Sequence, residues 1–270
     1  MRITVYWLHF LDKSRRQTLL VLGTVALGYG GIRILPSLLP QEIVFEEMDT
    51  PSGFRRFVAG ESSSAFDPFI GLGSPEELEA AARKEAAAAR VSASVCDALY
   101  GELTLSSSQV PLASFSDYYC PFCRVQTKRL AEFAKSAPDE IAVAWHELPL
   151  LGETSNMAAR AALAAKRQGA YVEFHERLMK SPFRASPEFL GELAEDLNVE
   201  RDQLVRDMSS DSVTRELEDS SALSRLFAFV GTPALVVGRT VIQGQVSDAT
   251  LKKIIELERE QGWESVCATA

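Results

Sequence analysis

Two cysteines three positions apart, in the stretch SDYYCPFCRVQ (residues 116–126), sit where a strand gives way to a helix. That junction limits the folds open to the chain more than any other feature. Upstream, QVPLASF (109–115) is short and partly alternating, the pattern of a strand. Downstream, RVQTKRLAEFAKSA (124–137) puts Val125, Leu130, Phe133 and Ala134 on one helical face. IAVAWHELPL (141–150) then alternates Ile141, Val143 and Trp145 and reads as a second strand. Strand, CxxC, helix and strand make a βαβ unit.

The chemistry of the pair follows from its surroundings. A CxxC half-site for zinc needs a second pair of ligands, and none is in view. Cys96 and Cys267 are isolated, and His9, His146 and His175 have no ligand spacing among themselves, so no metal and no cofactor is expected. A purely structural Cys120–Cys123 bridge closes too small a loop to stabilise much. The redox reading has a mechanism. Pro121 suits the first helical position, where its missing N–H costs nothing. The free N–H groups and dipole of the helix start favour an anionic sulfur at Cys120. Cys123 lies one turn inside. Cys120 is therefore expected to be the attacking thiolate and the more exposed of the two, with Cys123 as the resolving thiol behind it.

Residues 153–230 read as successive helices: SNMAARAALAAKRQG ending at Gly169, the amphipathic AYVEFHERLMK, SPEFLGELAEDLN, RDQLVRDMSS and SVTRELEDSSALSRLFAFV. GTPALVVGRTVIQGQV follows as two short strands turning at Gly238-Arg239, and SDATLKKIIELERE as a last helix capped by Ser247 or Asp248. Pro233 stands directly before the first of these strands. It is either an ordinary trans proline opening a strand or a cis proline in a tight turn, with Thr232 offering its backbone to an extended peptide by strand addition. Before the CxxC unit, SPEELEAAARKEAAAARVSASV predicts a helix with Ser74 as N-cap, Pro75 at its first position and Glu77 completing a capping box.

The N-terminus differs from the body. Residues 1–40 carry Arg2, Lys13, Arg15, Arg16 and Arg33 against Asp12, whereas the remainder has 23 basic and 36 acidic residues. An acidic body with no Lys/Arg cluster excludes nucleic acid as a partner. From Thr18 to Pro40 the only charge is Arg33, a run long enough for one membrane span. The basic residues before it place residues 1–17 in the cytoplasm. A cleaved signal peptide, leaving a soluble periplasmic protein, and a buried soluble helix are the alternatives. Both an anchor and a signal export the body to a compartment where disulfides persist, in a bacterium the periplasm.

The segments FSDYYCPFCR, ELPLLGETSNMAARAALAAKRQGAYVEFHERLM and VGTPALVVG, in this order, resemble the DsbA-type thiol–disulfide oxidoreductases of the thioredoxin superfamily. The resemblance spans about residues 107–262. It implies an α/β thioredoxin-like fold with a helical insertion at about 152–228, Cys120 and Cys123 as the redox pair, and Pro233 as a cis proline beside them. Thr232, Pro121 and Phe122 become the expected substrate contacts. Two positions depart from relatives: the enclosed dipeptide is Pro-Phe where the strongest oxidant has Pro-His, and Ser114 stands where some carry a buried acid. Asp117, the nearest carboxylate, is read as a cap of the active-site turn.

The expected organisation is a cytoplasmic segment (1–17), a membrane anchor or signal (18–40), a linker (41–74), a pre-domain helix (75–100) and the thioredoxin-like domain (107–265). The expected function is exchange of the Cys120–Cys123 pair with cysteine-containing protein substrates in oxidative folding, recharged by a membrane redox partner. The rivals are a reductase or isomerase in the same compartment, and a non-enzymatic peptide-binding or chaperone module. Alternation with Trp145 points His146 out of the core at a strand end beside Glu147. His175 is read as a packing or surface residue, and Met157, Met179 and Met208 as core filler. Cys96 and Cys267 flank the domain, whose termini are expected to lie close together, so they are expected to form a structural disulfide; a buried Cys96 with a free Cys267 is the alternative.

Overall fold

The computed structural model of the chain describes residues 43–58, 75–180 and 182–267. In chain order the elements are β1 (Glu46–Glu47), β2 (Arg55–Val58), α1 (Pro75–Ala93), α2 (Val95–Tyr100), β3 (Val110–Ser116), α3 (Pro121–Ser136) and β4 (Ile141–Glu147). The helices α4 (Glu153–Lys166), α5 (Tyr171–Lys180), α6 (Pro187–Asp196), α7 (Arg201–Met208) and α8 (Asp211–Leu226) follow. The chain then returns to the sheet with β5 (Ala234–Val237) and β6 (Thr240–Gln243), and ends in α9 (Asp248–Gln261) and α10 (Glu264–Cys267).

One sheet of order β1-β2-β6-β5-β3-β4 organises these elements. β3 and β4 pair in parallel from Val110↔Ile141 to Ser116↔Glu147, and α3 makes the crossover between them. β5 runs antiparallel to β3 and to β6. All seven residues of β3 are buried, because both faces of the sheet are covered. Ala113 and Phe115 of β3 join Ala234, Val236 and Val241 in a core closed by Ala87 and Val91 of α1, Leu99 of α2 and Leu223 of α8. The opposite face meets α3 and α9, where Leu130, Leu251, Ile254 and Ile255 are buried. The β5–β6 hairpin turns at Gly238, whose φ is +54°. A Cβ there would lie 2.6 Å from Glu258 Oε2 and 2.8 Å from Trp263 Cβ, so the turn needs glycine for both conformation and space.

The helical layer has its own core. Alanines 158, 159, 161, 162, 164 and 165 let α4 pack closely on its neighbours, and Phe174, Leu178, Leu190, Leu193 and Leu204 fill the rest. Tyr118, Cys120 and Cys123 belong to this second cluster, so the cysteine pair sits at the seam between sheet and helices. Ser247 caps α9, accepting from Thr250 N at 3.1 Å.

Several expectations are corrected here. Residues 45–58 are not a linker. β2 pairs in parallel with β6 over Arg55↔Thr240 to Val58↔Gln243, and Phe54 is buried against Phe227 with ring centroids 5.1 Å apart. Burial of such a ring stabilises by about 2–3 kcal/mol. The pre-domain helix is two helices, interrupted at Ser94, whose φ of −151° and ψ of 85° lie outside the helical region. The first, α1, packs on α8, with Arg90 bonded to Asp219 at 2.7 Å. Ser74 and the anchor or signal at 18–40 lie outside the described residues, as does the side chain of Glu77. Among the described residues no helix is long and apolar enough to cross a membrane.

Candidate active site

β3 delivers the chain to the turn Asp117-Tyr118-Tyr119, and the carboxylate of Asp117 fixes that turn. It accepts Tyr119 N at 2.7 Å, Leu150 N at 2.7 Å, Leu151 N at 3.0 Å and the hydroxyl of Ser155. Asp117 therefore does more than cap the turn: it binds the turn to the β4–α4 connection. Cys120 N donates to Asp117 O at 3.1 Å, and Cys120 becomes the N-cap of α3 with extended backbone. Its Sγ accepts from Cys123 N at 3.2 Å, one of the donors that a helix start leaves without an intrahelical partner. Pro121 takes the first helical position and is exposed, while Phe122 is half-buried, its carbonyl accepting from Gln245 Nε2 at 3.1 Å.

The turn before β5 closes the site from the other side. The Thr232-Pro233 peptide is cis, and Cys120 Sγ donates to Thr232 O at 3.3 Å across a sequence separation of 112 residues. Cys120, Cys123 and Thr232 each have 0 % exposure. The expectation that Cys120 would be the more exposed sulfur is thus corrected. Thr232 O, 112 residues away in sequence, lies against its sulfur, and both cysteines belong to the buried cluster of the helical layer. Tyr119 beside it is fixed to that layer, its hydroxyl accepting from Ala185 N at 2.7 Å and its ring 5.4 Å from Phe183. Burial pushes the Cys123 thiol far above its ordinary pKa, with the Cys120 sulfur adding to the rise.

Two groups beside the pair were not assigned to the site in the sequence reading. Glu147, at the end of β4, is buried, and its Oε1 accepts from the Tyr118 hydroxyl at 2.5 Å and the Tyr171 hydroxyl at 2.7 Å, with His175 Nδ1 at 3.2 Å. Burial, and then the Glu147 charge, raise both phenols well above their usual pKa. His175, read as a packing or surface residue, is buried: its ring packs on Trp145, Tyr118 and Tyr171, and its Nδ1 also joins this polar cluster. The second group is Arg124, the residue after Cys123, whose guanidinium donates to Tyr118 O at 2.6 Å and Leu178 O at 3.3 Å. A charge abutting the motif was the available signal.

The remaining expected residues lie apart from the sulfurs. His146 does not point out of the core: it stacks on Phe115 at 4.5 Å and its Nε2 meets Leu99 O at 3.0 Å. Burial lowers its pKa. Cys96 of α2 and Cys267 of α10 are joined by a disulfide, with Cα atoms 5.4 Å apart.

A family model described as DSBA-like thioredoxin domain matches residues 112–256, more than half of the chain. Among solved structures, a thioredoxin-like oxidoreductase from Silicibacter pomeroyi is 32 % identical, with 61 % of this chain and 97 % of that one aligned and a TM-score of 0.57. The catalytic domain of Proteus mirabilis ScsC is 27 % identical over 65 % of this chain and 98 % of its own, with a TM-score of 0.54. Among curated proteins, the Na(+)/H(+) antiporter NhaA 3 of Salinispora tropica is 26 % identical over 130 residues, 47 % of this chain. The chain spans only 20 % of the length of that relative. By the extent of the family match, and by nearly complete coverage of a relative at 32 % identity, the chain belongs to the DSBA-like thioredoxin family of thiol–disulfide oxidoreductases.

Proposed function

We propose that this chain is an exported thiol–disulfide oxidoreductase that oxidises cysteine pairs of protein substrates through Cys120, with Cys123 as the resolving thiol. The observation that carries the reading is the setting of one sulfur: Cys120 Sγ lies 3.2 Å from Cys123 N at a helix start and 3.3 Å from Thr232 O. In the oxidised enzyme a substrate thiolate attacks Cys120, the Cys120–Cys123 bond breaks, and Cys123 leaves as a thiolate that takes up a proton. The second substrate thiolate then attacks its partner's sulfur in the mixed disulfide. Cys120 departs as a thiolate held by the helix terminus, and two electrons have passed from substrate to enzyme.

Thr232 and the cis Pro233 supply the backbone edge along which an extended substrate lies, with Pro121 and Phe122 as its apolar neighbours. A membrane redox partner bearing a disulfide re-oxidises the pair by the same exchange. Export is supported by the basic and apolar N-terminal sequence and by the Cys96–Cys267 bridge, which suits an oxidising compartment.

The test is a pair of variants in oxidative refolding of a reduced substrate. Cys120→Ser is expected to abolish exchange, and Cys123→Ser to accumulate mixed disulfides at Cys120 that a reductant releases. Exchange surviving in Cys120→Ser, or trapping through Cys123, overturns the assignment. Equilibration with glutathione fixes the direction: a potential near about −120 mV supports an oxidant, whereas one near about −270 mV makes the protein a reductase.

A further inference from the structure

We propose that Gln243, with Arg56 beside it, is the positioning residue that holds the cis-proline turn in place against the cysteine helix, so that an extended substrate meets Thr232 and Cys120 in one alignment. The inference rests on the reading of Cys120 as the exchanging sulfur and of Thr232 as the substrate's backbone edge.

The hydrogen bonds of one short segment carry it. Residues 227–233 join α8 to β5, and side chains from two strands fix the start of that connection. Arg56 Nη2 of β2 donates to Phe227 O at 2.8 Å. Gln243 of β6 donates from Nε2 to Ala228 O at 3.1 Å, and its Oε1 accepts from Val230 N at 3.2 Å. Phe227 O and Ala228 O follow the end of α8, where carbonyls have no intrahelical partner. Ala228 needs the support. Its φ of +48° lies in the left-handed region, where the Cβ of an L-residue crowds the backbone, and such a residue persists only where its surroundings hold it. Gln243 is buried, and both ends of its amide serve this one segment.

The residues that follow Gln243 reach the cysteines. Gly244 N donates to Pro233 O at 2.9 Å. Gln245 Nε2 donates to Phe122 O at 3.1 Å, and Val246 N to Gln126 Oε1 at 3.1 Å. Residues 243–246 thus hold the cis-proline turn at one end and the first turns of α3 at the other. Between these two anchored parts lies the contact of Cys120 Sγ with Thr232 O, at 3.3 Å. An edge that takes up a strand gains affinity from backbone hydrogen bonds, and an edge already held in the bound geometry loses less entropy on binding. Releasing Ala228 and Val230 leaves the approach to Thr232 unsupported on the α8 side, so the edge loses its fixed placement relative to the sulfur.

A side chain that merely capped α8 would stabilise the fold without favouring one substrate over another. The two roles separate kinetically, because a small dithiol has a sulfur to exchange but no backbone to lie along the edge. The experiment reduces the oxidised full chain in quenched flow, either with a short linear peptide holding two cysteines or with dithiothreitol, and follows the rate against concentration. In Gln243→Met, an unbranched apolar replacement, the half-saturating peptide concentration is expected to rise about fivefold, the equilibrium weight of one hydrogen bond, while the rate with dithiothreitol changes by less than about twofold. Arg56→Met should act in the same direction. A half-saturating concentration unchanged in Gln243→Met, or equal losses with peptide and dithiothreitol, overturns the proposal and leaves Thr232 as the edge. An unmodified chain that shows no saturation with the peptide removes the substrate edge itself, and the proposal with it. Should Gln243→Met not fold, Arg56→Met decides: a raised half-saturating concentration with the dithiothreitol rate kept supports the proposal, and an unchanged one overturns it.

Discussion

The Cys96–Cys267 bridge joins α2 to α10 across 171 residues of sequence, and its removal is open to a worked estimate. A cross-link stabilises mainly by shrinking the unfolded ensemble, and the loss of loop-closure entropy for a ring of that size is about 5 kcal/mol at 25 °C. Measured losses on deleting native bridges run from about 2 to 5 kcal/mol, so the Cys96→Ala/Cys267→Ala chain is expected at the upper end. The bridge lies among Phe54, Val95, Leu226 and Val266, and the Cβ that Gly53 lacks would meet Val266 at 3.1 Å. Helix α2, the approach to β2 and the C-terminus are therefore fastened at one place. For a domain of this size each kcal/mol is worth about 2–4 °C, which makes the full effect roughly 10–20 °C in thermal unfolding by circular dichroism. The mechanism leaves a second mark: without the cross-link the unfolded chain is more expanded, so the denaturant m-value should rise. A double variant that melts within about 2 °C of the unmodified chain refutes the entropic reasoning. A large loss of stability with an unchanged m-value would instead locate the effect in packing around Cys96.

Two further outcomes follow from buried charge. Glu258 is 0 % exposed and accepts from Arg55 Nη2 at 2.5 Å, Thr240 Oγ1 at 2.5 Å and Arg239 N at 3.0 Å, so Glu258→Ala leaves the buried Arg55 guanidinium without its counter-charge, held only by Thr240 and Gln261, and should cost about 3–5 kcal/mol in urea unfolding. Replacing both partners, Arg55→Met with Glu258→Leu, should recover most of that loss; no recovery would show that the pair itself is strongly net stabilising. His146 has its folded-state pKa lowered by burial, so below its ordinary value of 6.5 the unfolded chain binds a proton that the folded chain refuses. Its contribution is intact above about pH 6.5 and is lost as pH falls towards the folded-state value, and His146→Asn should flatten that part of the stability–pH curve.

What the sequence disclosed and what it hid divide by the range of the forces involved. The strand–CxxC–helix unit was legible because its signals are local: a proline at the first helical position, an apolar stripe, a cysteine at the cap. β2 was not, because ArgArgPheVal reads as solvent-facing until its partners are known. Arg55 is held by Thr240 and Glu258, 185 and 203 residues away. Alternation along β4 predicts one wet face and turns His146 outward, whereas α8 packs on β4 and both sides of the sheet are covered. The break at Ser94 has a local sign: Ser94 precedes Asp97 by three residues, and its hydroxyl meets that carboxylate at 2.7 Å. The burial of Cys120 has no local sign, since it packs into a cluster drawn largely from the helical insertion and meets Thr232 O, 112 residues away.

Tyr118 shows why the helical insertion matters to the sulfurs. Its hydroxyl is held by Glu147 of β4, beside Tyr171 and His175 of α5, and its carbonyl is held by Arg124 of α3. One residue earlier, Asp117 ties the same turn to Ser155 of α4 and to the backbone at Leu150 and Leu151. The turn that aims Cys120 is thus fixed by two buried carboxylates, and each draws partners from the insertion. Buried polar groups that share partners do not act singly, because deleting one leaves the others unsatisfied in a medium where that is costly. A truncation at Tyr171 or Ser155, far from either sulfur in sequence, therefore acts on the same turn as a change beside Cys120, through hydrogen bonds rather than through the shape of the apolar core.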